Sequence, residues 1–193
     1  MTAIEWDSGT WLHEPMQHRI DGGELIVSTA HESDFWRETG YGFIHYSGHA
    51  LLVEFPPNTA MEVEFSAEWT HEFDQAGLLL HADEAHWVKA GVEFADDVLG
   101  LGAVVTDGKS DWSVGQVPEW MGERIRVRVS RSSDALTVRA RTDSDPWQLV
   151  RLAPIDPALT WFAGPLAASP TRASLEVTFH MWQWSEPDGA IHA

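Results

Sequence analysis

Between Phe73 and Phe94 the chain reads FDQAGLLLHADEAHWVKAGVEF, and the polar and aromatic residues Gln75, His81, Trp87, Lys89 and Glu93 within it are separated by even numbers of positions. Even spacing puts side chains on one face of a β-strand, because strand side chains alternate with period two. A lysine and a carboxylate on such a face, beside an amide and an indole, can hold hydroxyl groups while the ring stacks on the C–H face of a sugar. The same lysine–carboxylate pair would move protons if burial displaced its pKa values.

A hairpin is needed to bring these groups together. Phe73–His81 and Trp87–Phe94 are strand-length runs, and 82–86 is a polar connection of ordinary hairpin length. Placing His81 opposite Trp87 sets Leu79 against Lys89, Gly77 against Gly91 and Gln75 against Glu93. Ala76, Leu78, Leu80, Val88, Val92 and Phe94 then share the other face, and a slip of one residue would turn every side chain over. The two facing glycines leave a trough for a ligand or for close approach of another backbone. The plainer reading is a solvated sheet face with a Lys89–Glu93 pair.

Two further segments join an acid to an aromatic ring: Asp111-Trp112 and Asp34-Phe35-Trp36-Arg37. Each could rim the trough, with Trp36 and Trp112 stacking and Asp111 taking a hydroxyl; the alternative is an Asp capping a turn beside a core Trp. Asp74 falls on the inward face and reads as a buried hydrogen-bonding group rather than a catalyst. Glu62 and Glu64 sit on one strand face, about 6.5–7 Å apart at the backbone. That separation does not forbid glycoside hydrolysis. The basic faces at Arg124, Arg126 and Arg128, and at Arg139 and Arg141, favour an ion-pair ladder across neighbouring strands instead. Among the histidines there is no His-Glu-x-x-His motif, and the glycines around His45 and His49 argue against a helix that would align them. No metal site and no cofactor is expected, leaving loop carboxylates such as Asp96, Asp97 and Asp107 as the place for any structural Ca²⁺.

The elements that must carry these groups are strands. Helix signals are nearly absent, and runs rich in β-branched and aromatic residues are interrupted by Gly, Pro, Asp and Ser. We read strands at Glu24–Thr29, Leu51–Phe55, Thr59–Trp69, Gly102–Thr106, Arg124–Ser130, Leu136–Arg141, Trp147–Leu152, Leu159–Ala163 and Ala173–Trp184, about ten with the hairpin. Strands with one apolar face bury it by forming two packed antiparallel sheets. The 193 residues suit a single domain spanning 1–193. A net charge of −18 argues against nucleic acid and anionic membranes as partners. Zero cysteines exclude disulfides and thiol chemistry and agree with a cytoplasmic location. Lys and Arg together number 12, and only Lys89 and Lys109 are lysines, so an ammonium at Lys89 stands out. Open sheet edges make a homodimer an expectation to test.

DFWR at Asp34–Arg37, FDQAGLLL at Phe73–Leu80, WVKAGVEF at Trp87–Phe94, VVTDGKSDWS at Val104–Ser113 and ASP at Ala168–Pro170 occur in that order. Together they resemble the DUF1349 family of the concanavalin A-like lectin/glucanase superfamily, from about Trp11 to Phe179. The resemblance implies an all-β, concanavalin A-like jelly-roll sandwich of two antiparallel sheets whose concave sheet is the ligand surface. It implies no activity, because a fold does not define function. The expectation is a carbohydrate- or polyol-binding domain with a site drawn from Trp36, Gln75, His81, Trp87, Lys89, Glu93, Asp111 and Trp112. The alternatives are a glycoside hydrolase or lyase using Glu93 with Lys89 or Asp111, and a regulatory protein-interaction module, which the regulatory label of a yeast member suggests.

Overall fold

The structure, a computed structural model, describes residues 1–189. In chain order its strands are β1 (Thr2–Ala3), β2 (Thr10–Leu12), β3 (Gln17–Asp21), β4 (Glu24–Ser28), β5 (Phe35–Arg37) and β6 (Ile44–Tyr46). They continue with β7 (His49–Glu54), β8 (Thr59–Ala67), β9 (Asp74–Asp83), β10 (His86–Ala95), β11 (Val98–Asp107) and β12 (Lys109–Gln116). The last five are β13 (Ile125–Arg131), β14 (Ala135–Thr142), β15 (Gln148–Pro154), β16 (Phe162–Ala168) and β17 (Glu176–Ser185). Short 3-10 turns at Trp6–Ser8 and Pro118–Trp120 are the helical elements among the described residues, and no helix there is long and apolar enough to cross a membrane.

The first sheet runs β15-β14-β13-β8-β17-β4-β3, with β1 added to β17, and the second runs β12-β11-β10-β9-β16-β7-β2. All pairings in both are antiparallel. The facing surfaces alternate as a half-buried strand must. Met61, Val63 and Phe65 of β8 and Val127 and Val129 of β13 meet Leu78 and Leu80 of β9 and Val88 and Val92 of β10 in one core. Two packed antiparallel sheets are what the alternation of these strands produces, and the sandwich is the jelly-roll form that the resemblance implied.

The strands beyond those expected are either very short or, like β3 and β12, exposed. β1, β2, β5 and β6 are two or three residues long, too short to show a period. The edge strand β12 is largely exposed, so its sequence needs no buried stripe.

The hairpin register is the expected one: His81 pairs with Trp87, Leu79 with Lys89, Gly77 with Gly91 and Gln75 with Glu93. Its connection is shorter than the five residues read from the sequence. Asp83 pairs with His86, with an irregularity next to Trp87, and only Glu84 and Ala85 lie outside the strands. Asp83 Oδ1 accepts the Ala85 N–H at 2.8 Å and bonds His86 Nδ1 at 2.8 Å. An Asx turn of this kind replaces the backbone bonds that a longer loop would need.

On the outer face of the first sheet the acidic and basic rows do pair. Arg126 lies opposite Glu64 and Arg128 opposite Glu62. Arg126 Nε donates to Glu64 Oε2 at 3.0 Å, and Arg128 Nη1 donates to Glu62 Oε1 at 2.8 Å. Asp188 extends the row, accepting from Arg128 Nη2 at 2.9 Å and from Arg139 Nε at 3.0 Å. Both glutamates are buried beneath their arginines, so this face is an ion-pair ladder.

Candidate functional site

The outer face of the second sheet carries the groups singled out in the sequence, and the β5–β6 hairpin divides it in two. Phe35 enters from β5 and is fully buried, its ring 5.6 Å from that of Trp87. With Trp36, Ala50, Leu52, Leu79, Val104 and Leu166 they form a second, smaller core outside the sandwich. Trp87 is 1% exposed. It is therefore no stacking platform: the hairpin that the sequence showed only as an acid–aromatic segment covers it. His81, in the same row, bonds the hydroxyl of Tyr46 of the covering hairpin. Burial pushes the His81 imidazole down, and burial with Glu84 and Asp83 pushes the Tyr46 phenol up to about 12. Neither His81 nor Trp87 lines the open half of the face.

That half is a cavity of about 300 Å³. Its floor is Gln75, Lys89 and Glu93, with Val104 and Trp112 reached across β11 and β12. Lys89 pairs laterally with Val104, which pairs with Trp112, so sheet register places the indole beside the ammonium. Trp36, Tyr41, Phe43 and His45 of the covering hairpin form one wall, and Phe73, Pro170 and Thr171 the other.

The polar floor is a network. Lys89 Nζ donates to Gln75 Oε1 at 2.7 Å and to Asp34 Oδ1 at 3.1 Å. Gln75 Nε2 donates to the same Asp34 oxygen at 3.1 Å and to the Phe73 carbonyl at 3.3 Å. The Phe35 N–H adds a third donor to Asp34 Oδ1 at 2.7 Å. Asp34 thus ties the covering hairpin to the sheet. Asp34 Oδ2 has no hydrogen-bond partner among the described residues. Glu93 has none either, and its nearest opposite charge is Lys89 Nζ at 3.9 Å. Burial pushes the Glu93 carboxyl up; Lys89 opposes the rise, and Asp34 and Glu72 add to it.

The rings around this floor are partly open. Trp112 is 41% exposed and meets Trp36 edge-on at 6.3 Å. Tyr41 and Phe43 stack at 5.3 Å in the turn between β5 and β6 and are exposed. Phe73 is exposed at the mouth with a φ of 65°, a left-handed conformation that a bulky side chain rarely adopts and that recurs at ligand clamps.

The glycines serve both readings of the trough. A Cβ on Gly77 would lie 2.1 Å from the Ala90 carbonyl oxygen, and one on Gly91 would lie 2.1 Å from that of Ala76. Close backbone approach therefore requires this pair. A shallow cleft of about 30 Å³ runs past Gly91, Gly100 and Gly102 to Lys89, Glu93 and Trp112.

Of the residues expected in the site, the fold brings Trp36, Gln75, Lys89, Glu93 and Trp112 to this cavity, and it excludes Asp111 as it does His81 and Trp87. Asp111 points to the opposite face from its neighbour Trp112, as adjacent strand residues must. It binds Arg151 Nη2 at 3.0 Å, clipping β12 to the first sheet. Asp34 takes the place beside Lys89. Tyr41, Phe43, His45, Phe73 and Thr171 were not anticipated; the density of rings between Gly40 and Tyr46 was the available signal. Asp74, expected as a buried hydrogen-bonding group, is fully buried and bonded to Ser169 and Arg172 and to the N–H groups of Thr70 and His71. It secures the 169–172 segment that carries Pro170 and Thr171. Among the described residues no three His, Cys, Asp or Glu side chains converge as a metal site would require.

Fold and site together define a β-sandwich with a walled cavity on the outer face of one sheet. The chain belongs to the family described as "Protein of unknown function (DUF1349)", which it matches over residues 11–187. It is 38% identical over 189 residues to "Regulation of enolase protein 1" of Saccharomyces cerevisiae, covering 97% of this chain and 95% of that one. A crystal structure of a functionally unknown protein from the same yeast superposes with a TM-score of 0.88 at 36% identity, covering 96% of this chain and all of that one. Xylan β-1,4-xylosidase from Bacillus halodurans shares the fold at a TM-score of 0.73 and 14% identity. That match takes in 96% of this chain but 39% of the enzyme.

Proposed function

We propose that the cavity on the second sheet binds a small carbohydrate or polyol. The observation that carries this reading is the Asp34–Gln75–Lys89 network with Glu93 beside it, sunk at the base of an aromatic-walled cavity of about 300 Å³. Pocket walls made of rings with a few convergent polar groups are the general form of a small-molecule site, and a sugar offers an apolar face to the rings and hydroxyls to the floor. A thermal-shift panel of mono- and oligosaccharides tests it. A ligand at 100 times its Kd stabilises by about 2.7 kcal/mol, and Trp112→Ala should abolish both the shift and the quenching of tryptophan fluorescence. Full binding by Trp112→Ala would displace the site from this cavity, and a panel without any shift would remove the reading.

A second reading is favoured by one observation. Glu93, whose carboxyl burial pushes up, and Asp34 flank the same lysine in the cavity, and a pair of carboxyl groups in unlike surroundings is what glycoside cleavage uses. This reading expects turnover of an oligosaccharide that binds, lost in Glu93→Gln with binding retained. Undiminished turnover in that variant would exclude it.

A further inference from the structure

We infer that the preferred ligand carries an amine, so that an amino sugar binds better than its neutral or N-acetylated counterpart; the inference rests on the carbohydrate reading above. Most of the hydrogen-bonding capacity left unpaired at the floor is that of acceptors. Asp34 presents Oδ2 without a partner, and Glu93 has no hydrogen bond from the described residues. Lys89, the one cation at the floor, already gives two of its three N–H bonds to Gln75 and Asp34. It balances one carboxylate of two, and Glu72 adds further negative charge. Asp34 and Glu93 keep 16% and 19% of their side chains exposed, so both are half-buried and open to the cavity, and a ligand ammonium supplies donors to them in the stronger, charge-assisted form.

The walls suit the same group. Trp112, Tyr41, Phe43 and Phe73 present partly exposed rings around the acceptors, and aromatic faces attract cations, most strongly where water is excluded. An anionic sugar would meet Asp34 and Glu93 with Lys89 already engaged between them, in a chain of net charge −18.

Isothermal titration of the native chain with glucosamine, N-acetylglucosamine and glucose, and with methylammonium as a sugar-free N–H cation, tests this. Glucosamine should bind about tenfold or more tightly than the other two sugars, a factor that about 1.4 kcal/mol supplies. Glu93→Gln should close that gap, lowering glucosamine affinity by about tenfold and glucose affinity by less. Equal affinity for the three sugars overturns the amine inference and leaves the carbohydrate reading standing. Binding of methylammonium without any sugar supports the amine and overturns the carbohydrate reading. Silence from all four probes overturns both. The native comparison decides these outcomes by itself should Glu93→Gln fail to fold.

Discussion

At the scale of single residues, Glu93 sets a stability cost against a binding role. Its carboxyl is held above the ordinary glutamate value, chiefly by burial. The folded state therefore keeps the Glu93 proton at a pH where the unfolded chain has released it, and native stability falls as pH rises above the ordinary glutamate value of about 4.3. Glu93→Gln removes that penalty. Its melting temperature should equal or exceed that of the native chain at neutral pH, and the difference should shrink toward pH 4 in parallel melts. A variant less stable at neutral pH would show that the carboxylate has a structural partner. Lys89 behaves oppositely. Both it and Asp34 are largely buried, and removing one partner leaves a lone charge in the interior. Lys89→Met should cost about 3 kcal/mol or more in urea denaturation.

At the scale of elements, the β5–β6 hairpin builds the cavity and is held by Phe35, which sits on Trp87 and Leu79. Phe35→Ala should lose about 3–5 kcal/mol by leaving a hole in that small core, and ligand binding should weaken with it because Trp36, Tyr41 and Phe43 ride on the same hairpin. Unchanged affinity in a folded Phe35→Ala would show the wall to be dispensable. The opposite wall depends on Asp74. Burial alone would raise its carboxyl, but Arg172, Ser169 and the N–H groups of Thr70 and His71 outweigh that and hold it below the ordinary value. A depressed carboxylate stabilises the fold above its unfolded pKa of about 3.9, and that contribution disappears as pH falls through the folded value. Asp74→Asn should accordingly be less stable at pH 7, with the gap narrowing in acid melts.

At the scale of the whole molecule, a net charge of −18 works against compactness. The ladder of Glu62, Glu64 and Asp188 against Arg126, Arg128 and Arg139 gathers local opposite charges on the first sheet. Those pairs are mostly buried and are weakly screened, whereas repulsion between exposed carboxylates is strongly screened. Adding about 0.5 M sodium chloride should therefore raise the melting temperature, the Debye length then being well below 10 Å. A fall would mean that the ladder contributes more than the general repulsion removes.

Period-two alternation in β8, β9, β10, β13 and β14 determined the two-sheet sandwich, because only a face of uniform polarity can be buried whole. The same alternation defined the hairpin register and brought Gln75, Lys89 and Glu93 to one face. It also held the information that Asp111 and Trp112 point apart, since neighbours on a strand cannot share a side. What lay on top of that face had no period to report it. β5 and β6 are three residues each, and their place over Trp87 depends on Phe35 finding a pocket among residues from five other strands. Tertiary packing alone decided that Trp87 is core, that Asp34 is the partner of Lys89, and that the open half of the sheet is a walled cavity.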